Sequence, residues 1–263
     1  MKADMDRKEY WDQNYLEYWK QRVEEADDRA AESQVIPKDP VTGSDRVIRD
    51  LLMRHPFRQG NVLEVGCAWG RWFAFYREHG LEVHGVDIST AMVEAAQKDW
   101  QEQEGIGSIK EAEAEALPFE DNRFDNVTCL AVFDATYQHQ ALAEMFRVAR
   151  PGAFLVVTGK GDRYFEDDTA ALDAEAGARR KQHPNFFTDV PAMLNQITAQ
   201  SHTLLSAYYF PRRGDFGQSR FVTETQDPFY EYMLFFEKGE HRFAFTPFSA
   251  DRSLTFNAVR GTG

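Results

Sequence analysis

An apolar run, Val62-Leu63-Glu64-Val65, breaks into Gly66-Cys67-Ala68-Trp69-Gly70-Arg71, with a small residue at every second position. The run reads as a short strand. The small residues after it let the main chain turn sharply and leave space for a ligand to approach the backbone. A helix over Arg71–Glu78 follows, closed by Gly80. A strand, a glycine turn and a helix open a βα crossover, which commits the next strand to a parallel sheet covered by helices. The turn alone does not name its ligand, because a dinucleotide site uses a similar one.

The alternation continues. Glu82–Val86 is a second strand, and Ser89 caps a helix that runs to about Glu104. Ser108–Ala112 and Phe124–Val132 are further strands, Leu142–Val148 is a helix, and Ala153–Thr158 is a fifth strand. Upstream, Pro37, Pro40 and Gly43 mark a loop, and Ser44 caps a helix through Val47, Ile48, Leu51 and Leu52. Downstream, Thr188 caps a helix through Val190, Met193, Leu194 and Ile197. Thr203–Phe210 and Tyr230–Phe236 then read as strands, and Arg242–Thr246 with Ser253–Asn257 as a small hairpin. With no repeat and no low-complexity linker, the expectation is one domain over 1–263: a helical cap over 1–58, a binding core over 59–160, and substrate-side elements over 161–263.

Composition narrows the partners. The 30 Lys and Arg against 43 Asp and Glu leave a formal net charge of −13, which repels phosphate backbones and argues against nucleic acid. The longest basic clusters, Arg179-Arg180-Lys181 and Arg212-Arg213, read as solvated surface. Two cysteines, Cys67 and Cys129, build neither a disulfide framework nor a zinc site, and no metal is expected. The first residues carry no apolar run and no stretch is long enough to span a membrane, so a soluble, cytoplasmic chain is expected. Nothing sets the oligomeric state; a homodimer is compatible with the sequence. Aromatics reach 14%, more than a core of this size requires. Tyr10, Trp11, Tyr15, Tyr18 and Trp19 lie in a charged N-terminal segment, with 11, 15, 18 and 19 on one helical face. That stripe fits either a helix packed on the core or a lid over a ligand.

Three further features decide the ligand of the turn. Asp87 ends the second strand, where a carboxylate can accept hydrogen bonds from both hydroxyls of a ribose. Glu113-Ala114-Glu115-Ala116-Leu117-Pro118-Phe119 follows the third strand, and Phe146-Arg147-Val148-Ala149-Arg150-Pro151-Gly152 leads into the fifth. In this combination the chain resembles the class I S-adenosylmethionine-dependent methyltransferases, over at least residues 60–160 and, by strand order, to about residue 240. It departs from their pattern at Ala68, Ala149 and Ala153, where glycine, leucine and glycine are usual; none of these removes a ligand-contacting group. The Leu-Pro-Phe and Arg-Pro-Gly elements also set it apart from a dehydrogenase.

The resemblance implies an α/β fold of Rossmann-like methyltransferase type. Its mostly parallel sheet of seven strands runs in the order 3-2-1-4-5-7-6, with helices on both faces and an N-terminal helical lid. It also implies cofactor roles. Gly66, Cys67, Ala68 and Gly70 line the methionine portion, with Glu64 near the amino group. Asp87 holds the ribose hydroxyls, and Ile88 and Met92 enclose the adenine. Glu113, Ala114 and Glu115 face the adenine amine, and Leu130 and Ala131 border the sulfonium.

The acceptor side is argued from chemistry. A hydroxyl or ammonium acceptor must lose a proton, which requires a base within hydrogen-bond reach. Asp134 and His139, after the fourth strand, are the candidates; the alternatives are a helix cap for Asp134 and a solvated His139. Tyr15, Trp19, Tyr137, Asp162, Tyr164, Arg212 and Arg213 are candidate acceptor contacts. The stretch Ala131-Val132-Phe133-Asp134 lacks the Asn/Asp-Pro-Pro-Tyr/Phe motif used on flipped bases, which again disfavours nucleic acid. The expected activity is therefore methyl transfer from S-adenosylmethionine to an oxygen or nitrogen of a small-molecule acceptor. The alternatives are an inactive, cofactor-binding partner protein and a protein methyltransferase.

Overall fold

The computed structural model describes residues 7–14, 43–181, 183–240 and 244–249. The anticipated hairpin at 242–246 and 253–257 lies largely outside them, as do Tyr15, Tyr18 and Trp19.

The strands are β1 (Asn61–Val65), β2 (Glu82–Asp87), β3 (Ile106–Glu111), β4 (Phe124–Cys129), β5 (Ala149–Gly161), β6 (Phe187–Thr188), β7 (Thr203–Phe210) and β8 (Glu231–Glu237). Their order is β3-β2-β1-β4-β5-β8-β7, the sequence-derived order in which β7 and β8 are the sixth and seventh strands. β1 to β5 are parallel, and β8 runs antiparallel to both β5 and β7. The difference from seven strands is β6, two residues that pair with Lys160 and Gly161 of β5 beyond the end of β4.

Helix α1 covers 7–14. It is followed by α2 (Gly43–Met53), α3 (Phe73–Glu78), α4 (Thr90–Trp100), α5 (Gln138–Val148), α6 (Thr169–Arg180) and α7 (Val190–Ala199). Because side chains alternate along a strand, the sheet feeds two cores. Leu63, Val65, Leu155, Val157, Leu234 and Phe236 face one, which α5 and α7 cover with Met145, Phe146, Met193 and Ile197. Val62, Phe154, Val156, Met233 and Phe235 face the other, covered by α2 and α3 with Ile48, Leu51, Phe73 and Tyr76. Among the described residues no helix is long and apolar enough to cross a membrane.

Local chemistry sets the helix starts. Ser89 caps α4 through Met92 N, Asp168 caps α6 through Ala171 N, and Asp189 caps α7 through Ala192 N. The α7 cap corrects the sequence expectation of Thr188, whose hydroxyl lies 2.7 Å from that of Tyr232 and whose backbone belongs to β6. Leu155, fully buried in the middle of the sheet, reports on this packing. Leu155→Ala is expected to lower the unfolding free energy by about 2–5 kcal/mol, read from urea denaturation.

Candidate functional site

The chain runs outward from β1 to β2 and β3, then returns to place β4 on the other side of β1. The carboxyl ends of β1 and β4 therefore flank a topological switch point, where loops diverge and leave a crevice. Gly66 (φ +77°) turns the chain away from β1, and a Cβ there would collide with the side chain of Val132 beyond β4. Ala68 and Ala131 hold left-handed backbone, φ +50° and +58°, on the two sides of the crevice. Such strain costs on the order of 1–3 kcal/mol per residue and collects at functional turns.

Asp87 joins two of these turns. Its Oδ2 accepts from Ala68 N at 2.8 Å and its Oδ1 from Ser89 N at 2.9 Å. Burial pushes its pKa up to about 6, against the pull of those amides. Glu64, from β1, is buried in the same cleft; burial first, and the charge of Asp87 second, push its pKa well above the carboxylate range. Glu64 Oε2 and Glu115 Oε2 are both buried without a hydrogen-bond partner among the described residues. Burial, reinforced by Asp87, likewise raises the Cys67 thiol.

The cleft is lined by Glu64, Gly66, Cys67, Ala68, Asp87, Ile88, Ala114, Glu115, Leu130, Ala131 and Asp134. Other candidates lie elsewhere. Gly70 (φ +82°) serves the turn itself, because a Cβ there would press on Phe73 and Trp100 at 2.7 Å. Met92 is buried in the first turn of α4, outside the lining. Glu113 is largely exposed and pairs with Arg7 at 3.3 Å. His139 is not brought to the cleft. Gln138 ahead of it is fully buried, bonded to Phe186 O and Ser249 Oγ, and the helix turns the next side chain elsewhere. Tyr137 is exposed beneath Arg7, and Tyr164 packs with Ala171, Phe187 and Tyr230. Asp162 donates its amide to Thr188 O, away from the cleft, and Arg212 pairs with Asp167 at 2.9 Å. Among the described residues no group of three His, Cys, Asp or Glu side chains could hold a metal ion.

Several lining residues were missed from sequence. Arg7 reaches from α1 to Glu115 Oε1 at 2.6 Å and to Ala135 O at 3.2 Å. Lys8 bonds Ile88 O and pairs with Glu111. Together they lay α1 across the cleft. The alternating Glu111, Glu113 and Glu115 was the available signal, a row of carboxylates that needs a basic partner. Asp45 of α2 pairs with Arg71 beside Glu64. Lys160, at the end of β5, lies 2.9 Å from Glu175 and 3.5 Å from Asp134. Burial works against its charge, yet those carboxylates hold its pKa well above the lysine value. It is held as an ammonium between the two carboxylates.

A family model described as methyltransferase domain matches residues 63–157. Over residues 63–157 the chain is thus similar to a methyltransferase domain. Around this domain the chain is 38% identical over 96 residues to the ubiquinone/menaquinone biosynthesis C-methyltransferase UbiE of Erwinia tasmaniensis, covering 35% of this chain and 38% of that protein. It is 36% identical over 102 residues to the malonyl-[acyl-carrier protein] O-methyltransferase of Pseudescherichia vulneris, 38% of this chain and 39% of that one. Methyltransferase GfsG of Streptomyces halstedii matches over 146 residues at 32%, 52% of this chain and 51% of its own. The matches thus span about two fifths to one half of these relatives. Among solved structures, phosphoethanolamine N-methyltransferase 2 of Haemonchus contortus superposes with TM-score 0.61 at 16% identity, over 90% of this chain and 61% of that one. The YcgJ protein of Bacillus subtilis superposes with TM-score 0.53 at 19% identity, over 73% and 98%. These two carry the fold alone.

The raised pKa of Asp87 has a consequence for stability. Between about pH 4 and 6 the folded protein holds a proton on Asp87 that the unfolded chain has released. The stabilisation from that proton is full below the unfolded pKa and is lost as pH rises through 6. The stability of the parent relative to Asp87→Asn is therefore expected to fall from pH 4.5 to pH 7, read from urea midpoints at each pH.

Proposed function

We propose that this chain transfers a methyl group from S-adenosylmethionine to an oxygen or nitrogen of a small-molecule acceptor, releasing S-adenosylhomocysteine. The observation that carries the reading is the set of buried carboxylates around a turn too tight for a Cβ at Gly66. Among the described residues Glu64 Oε2 and Glu115 Oε2 lack donors, at a cost of about 1–3 kcal/mol for each unsatisfied group. A ligand rich in donors satisfies them. The ammonium of the cofactor suits Glu64, its ribose hydroxyls suit the remaining lone pairs of Asp87, and its exocyclic amine suits Glu115. These acceptors therefore suit the cofactor.

Bound there, held by Glu64, Asp87 and Glu115, the cofactor would supply an electrophilic methyl group for the acceptor's lone pair, with its sulfur as the leaving group. The protein's part is to orient, to exclude water and to take the acceptor's proton. Asp134, in the 3₁₀ turn Phe133–Ala135 after β4, is the base, held in place by Lys160. Arg7 and Trp11 of α1 shield the cleft from solvent. The quinone and acyl-carrier-protein substrates in the names of matched relatives support an acceptor other than nucleic acid.

Calorimetry is expected to show S-adenosylhomocysteine binding below the millimolar range; failure of both it and S-adenosylmethionine to bind there would overturn the reading. Asp87→Asn is expected to weaken binding about 10- to 100-fold, the loss of a charge-assisted hydrogen bond. Asp134→Ala is expected to leave that affinity intact and lower turnover about 10²- to 10⁴-fold. Near-normal turnover in this variant would remove Asp134 as the base.

A further inference from the structure

Beside the cofactor cleft lies a second cavity of about 780 Å³, within the range of about 300–1,000 Å³ typical of small-molecule pockets. Ser44, Lys160, Phe216 and Glu231 line both, so the two spaces meet at the carboxyl end of β5. A molecule in the second cavity abuts the place where a methyl group would be delivered.

The charge of this cavity differs from that of the chain. The protein carries −13 overall, yet the cavity lining has more arginines and lysines than carboxylates. Of its anions, Glu175 is already matched: Lys160 lies 2.9 Å away, and Tyr230 and Asn185 donate to it. Two of its cations are unmatched. Arg46 on α2 and Arg180 at the end of α6 are both exposed, and among the described residues neither has a carboxylate partner. Arg7, Arg147, Arg150 and Arg212 all do. The sequence reading of Arg179-Arg180-Lys181 as plain solvated surface is thus too simple, since Arg180 and Lys181 form part of a cavity wall. The acidic pair Asp167-Asp168, which could have drawn a cationic ligand, is engaged elsewhere. Asp167 binds Arg212, and Asp168 caps α6 and accepts from Arg213 N.

A guanidinium fork is shaped for the two oxygens of a carboxylate or phosphate. In an acidic protein a local cationic wall also draws anions that the rest of the surface repels. We propose that the methyl acceptor is a small anion whose carboxylate or phosphate is held at Arg46 and Arg180, with the nucleophilic atom directed past Lys160 toward the cofactor cleft. This rests on the methyl-transfer reading and adds the acceptor's charge to it.

The test is calorimetry on the full chain loaded with S-adenosylhomocysteine, titrated with benzoate, inorganic phosphate and, as a neutral control, benzamide. At least one anion is expected to bind ten-fold or more tightly than benzamide, and the preferred anion separates a carboxylate from a phosphate site. The R46Q/R180Q variant is expected to weaken that anion at least ten-fold with unchanged affinity for S-adenosylhomocysteine. Each single variant, R46Q and R180Q, is expected to show part of the loss, which keeps the test sound if the double variant folds poorly. Equal binding of benzamide and both anions, or undiminished anion binding by the variants, overturns the proposal. Failure of S-adenosylhomocysteine to bind is a separate result that overturns the methyl-transfer reading and this one with it.

Discussion

The carboxylate of Asp87 holds the site together. By accepting from Ala68 N on one side and Ser89 N on the other, it ties the turn after β1 to the turn after β2. Both turns close only because small residues surround them: Gly66 passes against Val132, and Gly85 leaves room for Phe73 and Cys67. A buried acid bonded to two amides is a rigid strut. It is also a costly one, and burial drives its pKa up to about 6. The cost is offset when donors from a ligand reach the lone pairs that the amides leave free.

A second constraint is the division of charge at the carboxyl edge of the sheet. Around the first cleft, Glu64, Asp87 and Glu115 gather buried carboxyl groups, suited to a donor-rich ligand. Beyond Lys160 the lining turns cationic. Lys160 stands at the boundary, charged because Glu175 and Asp134 hold it so. The two spaces are thereby lined differently, one by buried carboxyl groups and the other by cations. Against this division, α1 closes the cofactor side through Arg7 and Lys8, whose partners are the carboxylates and carbonyls at the ends of β2 and β3.

Much of the fold was legible in the sequence because parallel strands buried on both faces leave an unmistakable apolar pattern, and because Gly, Ser and Asp punctuate it where turns and caps form. The strand order did not follow from that alternation; it was implied by the resemblance to the class I methyltransferases, and the sheet has it. The boundaries that shifted have local causes. Thr188 looked like a cap until its hydroxyl was placed against Tyr232, and α5 begins earlier than expected because Gln138 is held inside by Phe186 and Ser249. Glu64, Gly66, Ala68 and Asp87, which line the cleft, were legible for a similar reason: they lie in short motifs at strand ends, where spacing along the chain translates directly into position.

Sequence by itself determined the sheet, the glycine turn, the carboxylates at strand ends and hence the cofactor expected there. Tertiary structure decided what lies opposite them. Asp45 meets Arg71, Arg7 meets Glu115, and Lys160 meets Glu175 across separations that no local pattern records. It removed His139 from the cleft and turned Arg180 from a surface charge into part of a wall. The physical reason is that motifs encode contacts within one βα unit, whereas an acceptor cavity is enclosed by side chains from several units. Their meeting is set by how the helices pack on the sheet.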